Sequence, residues 1–244
     1  MPDRRTHRGA HPEDSELFAP QVHASLRRAV ADLSWLLSRG YADQSALKLI
    51  GDRYQLRQRQ RIAVMRSACS DQALIERQER QVDADAVNGV SLVVDGYNLL
   101  TTIEAALAGG VLLLGRDGCV RDMASMHGSY RKVSETIPAL ERIGRHLQRL
   151  GVAETVWQLD APVSNSGRLK TMMQQVADER GWGWRIELLP NPDASLIVAG
   201  EIVSTADSAV LDRCGGWFNL ARSVVLDEAA LQKNLVDLSD RAVQ

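Results

Sequence analysis

Three of the short apolar runs after residue 90 of the sequence end in aspartate: Asp95, Asp160 and Asp207. The carboxyl ends of parallel strands lie along one edge of an α/β sheet, so side chains that are distant in sequence converge there. Clustered carboxylates repel one another and are commonly compensated by a divalent cation. Because no cysteine lies near these aspartates in sequence, a hard ion, Mg²⁺ or Mn²⁺, is expected. Each aspartate alone could instead be a helix cap or a turn residue.

Other acid-using or phosphate-binding families differ from this sequence at the first strand end, Asp95-Gly96-Tyr97-Asn98. A haloacid-dehalogenase-like phosphatase requires a second aspartate where Tyr97 stands. A Toprim domain requires glutamate after its first strand. A dinucleotide-binding fold requires the G-x-G-x-x-G pattern, and a P-loop its own glycine-rich motif. The sequence matches none of these patterns.

The elements that would position the aspartates begin at about Ser91, where short apolar runs alternate with helical patterns. This alternation predicts βαβ units and an α/β fold with a mostly parallel sheet and helices on both faces. The predicted helices are 98–107, 134–150 and 166–180, and the predicted strands are 91–94, 111–114, 155–159, 185–189, 201–204 and 223–226.

The chain before this region has helical periodicity, which predicts a helical segment over 1–85 ahead of an α/β domain over 86–244. Gly40 is expected to end one helix, and Ser45 to cap the next. Four arginines of this segment could bind a nucleic-acid backbone, although a solvated helix face is the commoner explanation of such a run: Arg53, Arg57, Arg59 and Arg61.

Composition places this chain among ordinary globular proteins, with 45% hydrophobic and 25% charged residues. A net charge of −2 argues against a protein that coats nucleic acid by bulk electrostatics. Three widely spaced cysteines predict reduced, buried thiols. The first residues carry no apolar leader, and no apolar run is long enough to span a membrane, so a cytoplasmic location is expected.

The residues around the aspartates resemble those of PIN-like nucleases, particularly the NYN subgroup. Val93-Val94-Asp95-Gly96-Tyr97-Asn98 is similar to the opening strand of that group. Asn191-Pro192-Asp193-Ala194-Ser195-Leu196 and Ser204-Thr205-Ala206-Asp207-Ser208 are similar to its two later acidic motifs. The resemblance covers about 91–226. The whole chain also looks like an uncharacterised microbial family that joins a helical segment to such a domain.

The resemblance implies a PIN-like three-layer α/β/α domain with Asp95, Asp193 and Asp207 as catalytic metal ligands. It places Asn98 beside them and Asp160 at the neighbouring strand end. This sequence departs from the NYN pattern where serine and alanine follow Asp207 in place of a D-x-D pair. The fourth carboxylate of many PIN nucleases is not fixed by the sequence, and three residues are candidates: Glu104, Asp122 and Glu135.

A loop before the helix 166–180 could form a phosphate seat, because small polar side chains lie at a helix N-terminus. Ser164, Asn165 and Ser166 would line it, with Arg168 and Lys170 holding the backbone. An ordinary capped turn with solvated charges explains the loop equally well. A second basic stretch, 116–132, could cover the acidic edge; it includes Arg131 and also His127, which is expected to be structural.

The function expected from the resemblance is metal-dependent hydrolysis of phosphodiester bonds. RNA is the expected substrate, and DNA is the alternative. The missing D-x-D pair favours the alternative, a PIN-like protein that binds nucleic acid without cutting it. A third hypothesis is an interaction scaffold in which the front helices mediate self-association into a homodimer.

Overall fold

A computed structural model describes residues 9–124 and 130–239 of the chain, so the expectation for His127 lies outside the described residues. The front segment is helical, as predicted. Its helices are α1 (Asp14–Leu17), α2 (Pro20–Leu37), α3 (Asp43–Arg53), α4 (Gln58–Ser67) and α5 (Asp71–Arg80).

The ends of these helices follow local chemistry, with one correction. Gly40, just after α2, has φ +76°, a left-handed conformation that glycine adopts at little cost. The Ser70 side chain accepts from the Ala73 N–H and caps α5. Ser45 is not the cap of α3, because that helix begins two residues earlier at Asp43, after an extended Ala42. The acidic side chain at Asp43 suits the first turn of a helix.

The remainder of the described chain alternates strands and helices after a 3₁₀ turn at Ala84–Val87. The strands are β1 (Ser91–Asp95), β2 (Leu112–Leu114), β3 (Val120–Asp122), β4 (Glu154–Asp160), β5 (Trp184–Leu189), β6 (Ile202–Ser204) and β7 (Leu235–Asp237). The helices are α6 (Gly96–Leu107), α7 (Thr136–Arg149), α8 (Ser166–Arg180), α9 (Pro192–Ile197), α10 (Ser208–Leu211) and α11 (Leu220–Asp227).

The main sheet has the strand order β5-β4-β1-β6, and all of its pairs are parallel. The α/β fold with a mostly parallel sheet behind a helical segment is therefore confirmed. In the register, Val94 lies opposite Trp157 of β4 and Ser204 of β6. This alignment brings the carboxyl ends of β1, β4 and β6 to one edge.

Both faces of this sheet are covered, because alternate side chains of a strand point to opposite sides. Val94 and Trp157 pack in one buried cluster with side chains of α6, α7, α8 and α11. Val93 and Val203 pack on the opposite side, in a smaller cluster with residues of α9 and α10. Helices therefore cover both sides of β1, the strand that ends in Asp95.

The predicted strand at 223–226 is wrong, because these residues form part of α11. The Asn219 side chain accepts from the Arg222 N–H and starts this helix. Val224 and Val225 are both buried against the large cluster. A short apolar run with two valines is compatible with either element, and here packing on α6 and α7 selects the helix.

A second, three-stranded sheet has the order β3-β2-β7. The sequence predicted β2, whereas β3 and β7 were not predicted. Strand β2 pairs in parallel with β7, more than a hundred residues away in sequence. Leu113 and Val236 of this sheet share a buried cluster with Leu26, Leu33 and Val64 of the front helices. The front segment is therefore packed on the α/β region and shares a core with it.

A buried ion network also joins the front segment to the rest of the chain. Arg77 of α5 donates to Asp117 Oδ2 at 2.5 Å and to Asp212 Oδ1 at 2.7 Å. Arg121 makes a bidentate contact with the same Asp117, at 2.9 and 2.6 Å. The two guanidinium groups hold the pKa of Asp117 far below its usual range despite its burial. Asp117 is thus a fully compensated buried charge.

The three cysteines, Cys69, Cys119 and Cys214, are buried thiols without disulfides, as predicted. Within residues 9–124 and 130–239, no helix combines the length and apolar character needed to cross a membrane.

Candidate active site

The first strand end, Asp95-Gly96-Tyr97-Asn98, leads from β1 directly into α6. Asp95 ends β1 and caps α6, with Oδ1 accepting from the Asn98 N–H at 3.3 Å. A Cβ on Gly96 would lie 2.5 Å from Leu159 Cδ2 and 2.9 Å from the Gln158 carbonyl, so only glycine fits against β4. Tyr97 is buried.

The second strand end, Thr205-Ala206-Asp207, is tied to the first. The Thr205 hydroxyl donates to Asp95 Oδ2 at 2.7 Å, and Asn98 Oδ1 accepts from the Ala206 N–H at 3.0 Å. The Thr205 oxygen in turn accepts from the Asp207 N–H at 3.0 Å. Asp207 Oδ1 caps α10 by accepting from two backbone N–H groups. Asp95 and Asp207 are therefore both helix caps and members of one hydrogen-bonded unit.

Asp193 and Asp160 lie around this unit. Asp193 is exposed in the first turn of α9, and Asp160 is partly buried at the end of β4. Partial burial raises the pKa of Asp193, and the charges of Asp207 and Asp160 raise it further. Burial also raises the pKa of Asp160. The four predicted aspartates thus lie close enough to influence one another electrostatically.

Asp95 is the most perturbed of these acids. Its side chain is buried, and loss of hydration raises its pKa to about 7, a shift to which the charges of Asp193 and Asp207 also contribute. The Thr205 hydroxyl and the Asn98 N–H oppose this rise by donating to the carboxylate. A buried carboxyl with such a pKa, held between two further acids, is typical of a functional site.

Asp122 is a fourth carboxylate at the same place, and among the three candidates it is the one that the structure brings there. It ends β3, and its Oδ2 accepts from Thr102 at 3.0 Å and from Thr101 at 3.4 Å. Glu104 is instead buried beside Tyr130 and Thr136, whose hydroxyls donate to its Oε1. The two threonines on α6 give a local signal, a polar pair on a buried helix face, that sequence analysis did not use.

An open cavity of about 490 Å³ connects these acids. Asp95, Asp122, Asp193 and Asp207 all line it, whereas Asp160 does not. The other residues of its wall are Met65, Arg66, Tyr97, Asn98, Thr101, Thr102, Arg121, Ala124, Ala206 and Ser208. The first two of these belong to α4 in the front segment, which sequence analysis did not connect with the acidic edge.

The oxygen-only donor set suits Mg²⁺ or Mn²⁺, but the side chains do not already enclose an ion. Within the described residues, no three carboxylates, imidazoles or thiols are placed to hold one metal between them. Both oxygens of Asp95 accept hydrogen bonds from the protein, at 3.3 Å from the Asn98 N–H and at 2.7 Å from the Thr205 hydroxyl.

The predicted phosphate seat lies outside this cavity. Ser166 is buried, donates to the Asp160 carbonyl at 2.6 Å and accepts from Tyr97, so its hydroxyl is used inside the protein. Asn165 donates to the Tyr130 carbonyl from a left-handed conformation at φ +70°. The remaining members are exposed and do not line the cavity: Ser164, Arg168, Lys170 and Arg131. The contacts of Ser166 and Asn165 are those of a capped turn.

The four arginines predicted to bind a nucleic-acid backbone are each paired with an acid of the front segment. Arg59 binds Asp14, with Nη2 and Oδ2 at 3.0 Å, and Arg61 binds Asp52 at 2.8 Å. Arg57 lies 3.3 Å from Glu13 and 3.4 Å from Glu16. Arg53 lies 3.5 Å from Asp32. This pairing agrees with the solvated-face explanation of the basic run.

In comparison with known proteins, the chain matches two family models without an assigned function. The chain belongs to the family described as Domain of unknown function (DUF5616), whose model matches residues 84–223. A second model, Protein of unknown function (DUF434), matches residues 25–80. The chain is 25% identical over 187 residues to Uncharacterized protein MJ0935 of Methanocaldococcus jannaschii, a match that covers 77% of this chain and 89% of the relative. No solved structure matches the chain.

Proposed function

We propose that this protein is a metal-dependent nuclease with a PIN-like α/β domain, and that it hydrolyses phosphodiester bonds in RNA. The observation that carries the proposal is the convergence of Asp95, Asp122, Asp193 and Asp207 on one cavity. Asp95, Asp193 and Asp207 come from β1, α9 and the start of α10, at the carboxyl edge of the parallel sheet, and Asp122 comes from the end of β3 in the smaller sheet. This edge is where open α/β sheets bind ligands.

The burial of Asp95 supports a cation at this place. A carboxyl whose pKa is about 7 is only partly ionised at neutral pH, and its ionised form is stabilised by any positive charge that enters the cavity. Asp193 and Asp207 raise that pKa and would share the same cation. A bound Mg²⁺ or Mn²⁺ would polarise the scissile phosphate and activate a water molecule.

Neighbouring polar residues hold the acids in place. Thr205 fixes Asp95 Oδ2, and Thr102 fixes Asp122 Oδ2. Asn98 joins the two strand ends by accepting from the Ala206 N–H. The chain therefore supplies oriented acceptors from several elements, which is the requirement for a site that binds a cation and a phosphate together.

The test is a Mn²⁺ titration by calorimetry together with cleavage of a labelled single-stranded RNA. We expect the parent protein to bind Mn²⁺ and cut the RNA, and Asp95→Asn and Asp207→Asn to lose both properties while keeping the fold. Asp178→Asn is the matched control, because Asp178 is exposed on α8 and bonds only to Gln174 among the contacts described. Cleavage by Asp95→Asn at the rate of the parent would refute the proposal.

A non-catalytic protein that binds nucleic acid is the second candidate function. It is favoured by the hydrogen bonds that already occupy both oxygens of Asp95 and by the open spacing of the described acids. It predicts RNA binding that weakens with salt and no cleavage with Mg²⁺ or Mn²⁺. The same RNA, followed by gel and by fluorescence anisotropy, separates the two functions.

A further inference from the structure

Arg66 brings a positive charge from the front segment into the acidic cavity. It lies near the end of α4, and both Arg66 and its neighbour Met65 line the cavity wall. Helix α4 packs on β2 of the smaller sheet, in the cluster that includes Val64 and Leu113. A rigid contact between the two parts of the chain therefore fixes the position of this guanidinium relative to the aspartates.

The hydrogen bonds of Arg66 fix its side chain, and its nearest carboxylate lies farther away than its carbonyl acceptors. Its guanidinium donates to the main-chain carbonyls of Asp122 and of Ala124, the latter at 3.4 Å. The Asp122 carboxylate is farther away, with Oδ1 at 3.7 Å from Arg66 Nη1. That Oδ1 accepts from the Ala124 N–H at 2.7 Å. The ion pair of Arg66 with Asp122 is therefore loose, and it is the carbonyl acceptors that orient the guanidinium.

Arg121, the second arginine of the cavity wall, differs from Arg66 in its contacts and its exposure. Arg121 makes a bidentate contact with Asp117, and its Nε donates to the Ala206 carbonyl at 2.8 Å. Its side chain is 10% exposed, whereas that of Arg66 is 38% exposed. Among the described residues of the cavity wall, Arg66 is thus the cation whose charge is presented to the solvent-filled space.

Three other arginines of the front segment have closer acidic partners than Arg66. Arg57, Arg59 and Arg61 each lie within 3.4 Å of a carboxylate oxygen. An arginine that is oriented by carbonyls, partly exposed and only loosely paired with an acid is suited to bind an anionic group. Guanidinium–phosphate pairs are strong because two N–H donors of the planar fork can face two phosphate oxygens.

We propose that Arg66 binds a backbone phosphate of the nucleic-acid substrate, so that the front segment completes the binding site of the α/β domain. This inference rests on the proposed function, because it gives a role to a residue on the wall of the same cavity. The phosphate would lie between Arg66 and the cation-binding acids. A cavity of about 490 Å³ is of the size that small ligands and single nucleotide units occupy.

The test compares Arg66→Gln and Arg66→Lys with the parent. Glutamine keeps a donor for a main-chain carbonyl and removes the charge, whereas lysine keeps the charge and loses the planar fork. Arg57→Ala is the control, since Arg57 belongs to the same basic run but does not line the cavity. The probe is a fluorescein-labelled single-stranded ten-nucleotide RNA with Mn²⁺ at 4 °C, measured by anisotropy at several salt concentrations, with its integrity checked by gel.

We expect Arg66→Gln to weaken RNA binding by about tenfold or more and to lower the slope of affinity against salt by about one counterion. Arg66→Lys should retain the salt slope with an intermediate affinity, and Arg57→Ala should bind as the parent does. Calorimetric Mn²⁺ binding should be the same in all four proteins, because Arg66 is not a metal ligand.

Three results would overturn the inference, and they are distinguishable. If the parent binds and cuts RNA and Arg66→Gln binds with the same affinity and salt slope, the role of Arg66 is wrong and the proposed nuclease function stands. If the parent neither binds nor cuts the RNA, both proposals fail together. Loss of Mn²⁺ binding in Arg66→Gln and Arg66→Lys alike would show that Arg66 maintains the acidic edge, which also contradicts a phosphate contact.

Discussion

The hydroxyl of Thr205 donates to the buried Asp95 carboxylate at 2.7 Å, across 110 residues of sequence. The bond connects β6 to β1 at the edge where the acids converge, and it opposes the effect of burial on the pKa of Asp95. The Thr205 oxygen also accepts from the Asp207 N–H, so one hydroxyl positions two acids. The ionisation of Asp95 and the placement of Asp207 thus depend on the same side chain.

We expect Thr205→Val to weaken Mn²⁺ binding at pH 7, because removal of the donor raises the pKa of Asp95 and protons then compete with the metal. A rise of one pKa unit weakens apparent affinity at pH 7 by up to about tenfold. The affinity should return toward that of the parent at pH 8.5. Thr205→Ser is the matched control and should bind as the parent does. Equal weakening at both pH values would contradict a proton-linked effect.

Asp95→Asn should stabilise the metal-free protein at alkaline pH. The folded-state pKa of about 7 lies above the unfolded value, so the folded protein retains a proton that the unfolded chain has released. The parent's free energy of unfolding therefore falls as the pH rises from about 4 to 7 and is level above. The asparagine variant does not lose stability in this way, because asparagine does not ionise. Each 1 kcal/mol by which its free energy of unfolding exceeds that of the parent raises Tm by about 2–4 °C. Thermal melts of the parent and of Asp95→Asn in EDTA across pH 5–8.5 measure this difference. A difference in Tm that stays constant across that range would refute the prediction.

Arg77→Ala should strongly destabilise the protein, because it removes one cation from the buried Asp117 and the partner of Asp212. Loss of one member of a buried charge network costs about 3–5 kcal/mol. Arg53→Ala is the control: its ion pair with Asp32 is exposed, and such pairs contribute at most about 1 kcal/mol. Urea unfolding gives both values. A loss for Arg77→Ala no larger than that for Arg53→Ala would show that the network adds nothing to stability.

Gly96→Ala and Gly167→Ala should have opposite effects on stability. A methyl group at Gly96 would overlap Leu159 and the Gln158 carbonyl, and such overpacking costs about 1–3 kcal/mol. Nothing lies within 4 Å of the corresponding position at Gly167, in the first turn of α8. Alanine there is expected to be neutral or to stabilise by up to about 1 kcal/mol, since it restricts the unfolded chain. The comparison by urea unfolding fails if both variants change stability in the same direction.

The sequence predicted the parts of the site that depend on local geometry. Asp95 ends one apolar run and Asp207 comes shortly after another, so their convergence at one edge follows from the parallel sheet alone. The position of Asp122 could not be deduced, because three-residue strands such as β3 give almost no periodic signal and its neighbours on α6 are about twenty residues away. In the sequence, Arg66 follows the arginines at positions 53–61 and has no local feature that sets it apart from them. Only tertiary contacts distinguish it from Arg59, which is held by Asp14.

The wrong prediction at 223–226 has the same cause. Val224 and Val225 favour a strand locally, and the Asn219 cap together with packing on α6 and α7 makes the segment helical. Strand β7 was missed because its partner β2 lies far back in the sequence, so nothing nearby indicates a pairing.

The pairing of β2 with β7 affects how this protein can be divided. The matched segment of the α/β family ends at residue 223, before β7 begins at Leu235, and β2 contacts α4 on its other surface. A fragment of residues 84–223 would lack β7, which pairs with β2. It would also lack the front helices, so that Leu113 of β2 would be uncovered. The two segments are therefore not interchangeable modules: a gene fusion that joined either one to an unrelated partner would have to re-create a matching apolar surface before it could produce a stable product.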